Sequence, residues 1–143
     1  MKPLRIKGWD IYFHRLFEQQ YAEIRSNVEK LQSKLEKEKL RLHPDVKLFQ
    51  ALVNLIYQTI PYNPFADYFV LKDSLKRYSR VKKKGLPNRY RLFFKVFKKQ
   101  KKLVILWLGY PRKEGDKKDC YKVFSKMVNR GEFPLNIEQL IED

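Results

Sequence analysis

Acidic residues are missing from the middle of this chain: between Ser74 and Lys113 there is no Asp or Glu, while fifteen residues are Lys or Arg. A solubilising surface mixes both signs, so the asymmetry excludes a generic surface and points to a polyanion. Cysteine is nearly absent. Cys120 stands alone, which excludes an intramolecular disulfide, and no Cys or His lies at a zinc-ligand spacing from it; it is expected to face the core. Carboxylates do not cluster as a Mg²⁺ site requires, and no glycine-rich loop matches a nucleotide fingerprint, so no metal and no cofactor is expected. The longest purely apolar run, Leu103 to Leu108, is far short of the roughly 20 residues that cross a bilayer. The first eight residues are basic without the apolar stretch of a secretory signal, so a cytoplasmic protein with no membrane partner is expected.

What is present suits one folded domain over residues 1–143: 43% hydrophobic residues supply a core, and 32 Lys plus Arg against 16 acids give a formal charge of +16. Trp9, Ile11 and Phe13 alternate with polar neighbours and predict a short strand that turns into a helix near His14. From Phe17, the apolar positions Tyr21, Ile24, Val28, Leu31 and Leu35 mark a long first helix, with Glu38 and Arg41 paired on its polar side. His43-Pro44 breaks that pattern and opens a second helix to about Ile60, whose buried face carries Phe49, Leu52, Val53, Ile56 and Ile60. The two helices are expected to form an antiparallel hairpin on a sheet. His14 and His43 then lie about 40 Å apart on a straight helix, too far for two-histidine nuclease chemistry, and are expected to cap or pack.

Pro61 to Ser74 reads as irregular, with Tyr62, Phe65, Tyr68 and Phe69 either plugging the core edge or docking a partner. Strands follow at about Lys76 to Lys83, Arg89 to Phe97 and Leu103 to Gly109, with links short enough for an antiparallel meander. A last helix runs from about Asp119 to Arg130 with Gly131 as its stop, and the acidic tail beyond reads as accessory. The class is therefore α+β: an antiparallel sheet of about four strands, an N-terminal helical hairpin and a C-terminal helix.

Strand alternation turns Tyr90, Leu92, Phe94 and Val96 toward the helices and Arg89, Arg91, Phe93, Lys95 and Phe97 away from them. With Val81 in the core, Arg80 and Lys82 share the face of Arg91 and Phe93. Arg112 lies beyond the last strand, Lys117 and Lys118 precede the final helix, and Tyr121 sits in its first turn, either packed as an ordinary helix residue or with its hydroxyl pointing back over the sheet. Cleavage of RNA by its own 2′-hydroxyl needs a base, charge stabilisation at phosphorus and a proton for the departing 5′-oxygen. Arginine suits the second task as a permanent bidentate clamp. Lysine or tyrosine, starting near a pKa of about 10, reaches the others only if neighbouring cations pull it down. Phe93 or Tyr121 could stack on an unpaired base. Lys98 to Lys102 clusters as a solvated hairpin tip.

Gly8-Trp9 with Tyr12 and His14, Ser79-Arg80-Val81-Lys82, Arg89-Tyr90-Arg91-Leu92-Phe93-Phe94, and Asp119-Cys120-Tyr121 with Val123-Phe124-Ser125-Lys126-Met127 resemble, in order and spacing, the YhaV family of bacterial toxins. The resemblance covers nearly the whole chain, although residues 109–118 depart from relatives with a longer connection there. It implies a RelE-like fold and metal-independent endoribonuclease activity on mRNA in association with ribosomes. It also implies a cognate PrlF-type antitoxin with a swapped-hairpin DNA-binding domain, through which the pair reaches operator DNA. By motif it assigns Arg80, Arg91 and Tyr121 to catalysis, and Lys82, Arg89, Phe93, Arg112, Lys117 and Lys118 to RNA binding. Two rival readings remain: a non-catalytic RNA- or DNA-binding module whose affinity falls steeply with salt, and a gyrase-inhibiting relative of the same superfamily.

Overall fold

The computed structural model describes residues 2–110 and 119–141. The chain opens with a hairpin, β1 (Leu4–Ile6) and β2 (Trp9–Phe13). Lys7 and Gly8 join them with φ of 51° and 87°, the left-handed pair of a tight turn whose twist matches the strands. β1 was not expected from the sequence, since three residues are too few to display alternation.

Helix α1 (Arg15–Gln32) starts at His14, whose Nδ1 accepts the Leu16 amide and whose Nε2 lies 3.1 Å from the Glu132 carbonyl. Those contacts describe a neutral ring with its proton on Nε2. The long first helix ends earlier than its apolar stripe suggested. Ser33 donates its hydroxyl to the Lys30 carbonyl, competing with the helical ladder, and Glu36 is extended before α2 (Lys37–Leu42). The Glu38–Arg41 pair is present, but within α2. His43 caps α3 (Pro44–Asn54) by accepting the Asp45 amide, so both histidines are caps. The second helix widens into a π turn over Leu55–Thr59 and closes as α4 (Ile60–Tyr62). Pro61 accounts for the widening: it has no amide proton to give and its ring would press on the carbonyl four residues back.

Strands β3 (Ser79–Val81), β4 (Arg91–Phe97) and β5 (Lys102–Gly109) complete a sheet of order β1-β2-β5-β4-β3. The α+β class stands, with five strands in place of about four and one parallel pair, β2 with β5. A parallel neighbour needs a long connection, and the helical excursion between β2 and β5 supplies it. Between β4 and β5 the register steps from Phe93↔Trp107 to Phe94↔Ile105, which leaves Leu106 unpaired and turns both Leu106 and Trp107 to one face.

The sheet is covered on both sides. One face packs Val81, Leu92, Phe94, Leu103 and Ile105 against Phe17, Leu52, Leu55, Ile56 and Ile60 of the helical layer, each worth about 1.5–3 kcal/mol when fully buried. The other packs Phe93, Val104 and Leu106 against Phe124 and Met127 of α5 (Asp119–Asn129) and Phe133, Ile137 and Leu140 in and before α6 (Ile137–Ile141). The tail after Gly131 is thus core rather than accessory. Gly131, at φ 80°, ends α5 by donating to Val128 while Glu132 donates to Met127, which folds Phe133 back under the sheet. In the irregular segment Ala66 and Phe69 plug the core, whereas Tyr62, Phe65 and Tyr68 are exposed.

Candidate phosphate-binding site

Arg80 on β3 lies directly across from Phe93 on β4, so alternation sets Arg80 and Arg91 on the same face, the one that α5 covers. Arg91 is only 6% exposed. Its Nη1 donates to the carbonyls of Asn88 at 2.7 Å and Tyr90 at 2.8 Å, and its Nε donates to the Tyr121 hydroxyl at 3.3 Å. These bonds pin the guanidinium without a carboxylate, and Nη2 makes none among the described residues. Arg80 donates Nη1 to the Tyr68 carbonyl at 3.1 Å, and its Cζ lies 5.9 Å from the centroid of the Tyr121 ring. Its Nε is buried without an acceptor among the described residues, a state that costs about 1–3 kcal/mol. Tyr121 therefore stands between two guanidinium groups. Because its oxygen accepts from Arg91, its own O–H remains to donate.

The approach of α5 depends on one glycine. A Cβ at Gly109, the ladder partner of Arg91, would lie 2.5 Å from the Trp107 ring and 3.1 Å from the Cys120 Cβ. Cys120 is buried there, and burial pushes its thiol above the ordinary range, which leaves it packed rather than nucleophilic. The β3–β4 loop is strained. Lys83 and Lys84 adopt φ of 72° and 56° ahead of Gly85 at 90°, positions that L side chains rarely take. This curl sets Lys82, Lys83, Asn88 and Arg91 around a cavity of about 330 Å³, with no acidic side chain among the described residues of its lining.

Of the residues expected from the sequence, Arg80, Arg91 and Tyr121 come together, and Lys82 lines the cavity beside Arg91. Arg89 is exposed ahead of β4 and does not line that cavity. Phe93 is corrected: it is fully buried, with its ring stacked on Phe124 at 4.1 Å and 12°, and no base can reach it. Arg112, Lys117 and Lys118 lie outside the described residues. Sequence reasoning missed Asn88 and Lys83. Both belong to the turn Lys82–Asn88, where the only local signal was Gly85 with Pro87, which marks a bend but not which residues it aims inward.

A family profile described as a toxin with endonuclease activity, of a toxin-antitoxin system, matches residues 11–143. The chain is 34% identical over 149 aligned residues to the ribonuclease toxin YhaV of Escherichia coli strain K12, spanning 99% of this chain and 95% of that one. Toxin YhaV of E. coli O6:H1 strain CFT073 matches at the same identity and coverage. Among solved structures, the isolated E. coli RelE toxin aligns over 85% of this chain and 97% of its own, at 17% identity and a TM-score of 0.41. The toxin-antitoxin complex RelBE2 of Mycobacterium tuberculosis aligns over 79% and 97%, at 16% identity and a TM-score of 0.40.

Proposed function

Because the chain belongs to the YhaV family of toxins with endonuclease activity, we infer that it is a ribonuclease toxin that cuts mRNA at the arginine–tyrosine site. Arg80 and Arg91 hold the scissile phosphate, with Arg91 Nη2, which makes no bond among the described residues, aimed at a non-bridging oxygen, and Lys82 adds charge. The RNA's own 2′-hydroxyl attacks phosphorus, passes its proton to solvent water and displaces the 5′-oxygen to leave a 2′,3′-cyclic phosphate. Tyr121 gives its proton to the departing 5′-oxygen while Arg91 Nε holds the phenolic oxygen, and water returns a proton to the phenolate of Tyr121 after each cut. In this reading the chemistry calls on no metal, since the described groups that face the phosphate are cations and a phenol. Arg112, Lys117 and Lys118 would add affinity from the segment between β5 and α5.

The observation that carries this reading is the single phenol contacted by two guanidinium groups on one sheet face. As a member of a toxin-antitoxin family, the chain has an antitoxin partner. We assign that partner to the PrlF type, with a swapped-hairpin DNA-binding domain that carries the pair to operator DNA. Residues 1–143 act as one domain, in the cytoplasm, where ribosomes present the mRNA. Changing Arg91 to Ala should abolish RNA cuts, measured by mapping fragment ends with and without ribosomes, while circular dichroism stays that of the wild type. Fragments ending in a 2′,3′-cyclic phosphate establish internal attack. Undiminished cleavage by the variant discards the assignment, and binding without cuts by the wild type in both settings supports a non-catalytic module.

A further inference from the structure

We propose that Tyr68 is a stacking platform for an unpaired nucleobase next to the arginine–tyrosine site, a role that rests on the reading of that site as one for RNA. Tyr68 is 51% exposed, and its position relative to the site is fixed from three directions. Its carbonyl accepts Arg80 Nη1 at 3.1 Å, so the residue that binds phosphate also holds the platform. Val70, two residues on, bridges Ser79 in antiparallel fashion and so ties the segment to β3. Phe69, buried in the core, meets the Tyr68 ring edge-on at 4.6 Å, which anchors an otherwise open side chain from below.

The surroundings identify the ligand. Lys84 places its Nζ 4.0 Å from the Tyr68 ring centroid, and Lys83, its neighbour in the same left-handed turn, lines the cavity with Lys82, Asn88 and Arg91. An aromatic face flanked by cations suits a base with its phosphates. A protein contact would place the ring in an apolar patch depleted of charge. Of the other rings, Phe93 is buried under Phe124, Phe65 packs on Trp9, Tyr110 leans on Tyr90, Tyr121 meets Phe93 edge-on and serves the site through its hydroxyl, and Tyr62 is exposed with no hydrogen bond to Arg80 among the described residues. A phosphate on Arg80 therefore has, in Tyr68, an open ring fastened to the same guanidinium, and the base beside that phosphate stacks on Tyr68 while Lys84 meets the next charge.

The test compares wild type with Tyr68→Ala, Tyr68→Phe and Tyr68→Trp in binding a mixed-sequence 2′-O-methyl RNA, which cannot supply the attacking hydroxyl, and an otherwise identical abasic oligomer. Loss of the platform should weaken binding of the base-bearing oligomer about 5- to 150-fold and leave the abasic one unchanged. Phe and Trp should restore it, with melting temperatures near wild type throughout. On cleavable RNA, Tyr68→Ala should alter which sites are cut, whereas Arg91→Ala loses cutting altogether. Equal affinity of Tyr68→Ala and wild type for the base-bearing oligomer overturns the proposal. An equal loss on the abasic oligomer, or weakened antitoxin binding with RNA binding intact, does the same. A wild type that binds RNA without cutting it defeats the nuclease reading, yet the paired oligomers still decide the platform.

Discussion

The two faces of the sheet are built from the same strands and closed in different ways. Toward the helical layer, β4 and β5 present Leu92, Phe94, Leu103 and Ile105 to a largely aliphatic wall of Leu52, Leu55, Ile56 and Ile60. Toward α5, β4 presents Arg91, Phe93 and Lys95, and the cover is a stack of rings, Phe93 on Phe124 at 4.1 Å and Phe124 on Phe133 at 5.2 Å. Aliphatic packing has little use for donors, and here Gln20 of α1 pairs its amide with the Leu108 backbone at the end of β5. The aromatic face instead keeps cations at its edges, held by carbonyls and rings: Arg91 by Asn88, Tyr90 and Tyr121, and Lys95 by the Arg77 carbonyl and the rings of Tyr78 and Phe97. A carboxylate would have neutralised these cations, whereas a carbonyl fixes them and leaves the charge available to a ligand.

If one face carries chemistry and the other stability, changes on each should move different observables. Tyr121→Phe removes the phenolic O–H between the two guanidinium groups and should slow single-turnover RNA cleavage by about 10²- to 10⁴-fold, for a stability cost near 1 kcal/mol from the lost Arg91 bond. Unchanged cleavage would show that the phenol moves no proton. Leu52→Ala, fully buried on the opposite face, should lower stability by about 2–5 kcal/mol in urea unfolding. Cleavage per folded molecule should stay at the wild-type rate. A slowed rate in the folded fraction would mean that the faces are coupled through the sheet.

Much of this division is legible in the sequence, because strand alternation is a strict period. Tyr90, Leu92, Phe94 and Val96 pack on the helical side, and Arg91 shares the other face with Arg80. The histidine caps follow from local chemistry next to Pro44 and at the end of β2. What escaped depends on contacts between distant residues. Phe93 has the alternation of an accessible ring but lies under Phe124, thirty-one positions away in the chain. Tyr68 belongs to a segment without periodicity, and its place beside Arg80 is set by its backbone carbonyl, the Val70–Ser79 bridge and the buried Phe69. Among the described residues the tail after Gly131 buries Phe133, Ile137 and Leu140, too sparse to stand out among acids until the turn at Gly131 directs them under the sheet. The break in the first helix came from a serine hydroxyl that an apolar stripe does not register.

The smallest expected effect tests whether the buried cations of the aromatic face burden its stability. Lys95 is nearly buried, and desolvation, followed by the nearby Arg77 charge, holds its ammonium below the ordinary lysine value of 10.5. Just below pH 10.5 the unfolded chain therefore binds more protons than the folded one, so this residue makes stability rise with pH there. Tyr78, whose phenol burial raises above 10.0, acts in the opposite sense once pH passes that value. Comparison of wild type with Lys95→Met separates the two, since Tyr78 is present in both. The variant should lose the rise in unfolding free energy as pH approaches 10.5, and at neutral pH its stability should stay close to wild type, because removing a buried charge offsets the lost bond to the Arg77 carbonyl. Parallel pH profiles for the two proteins would show that the ammonium is solvated and that the cations on this face cost the fold nothing.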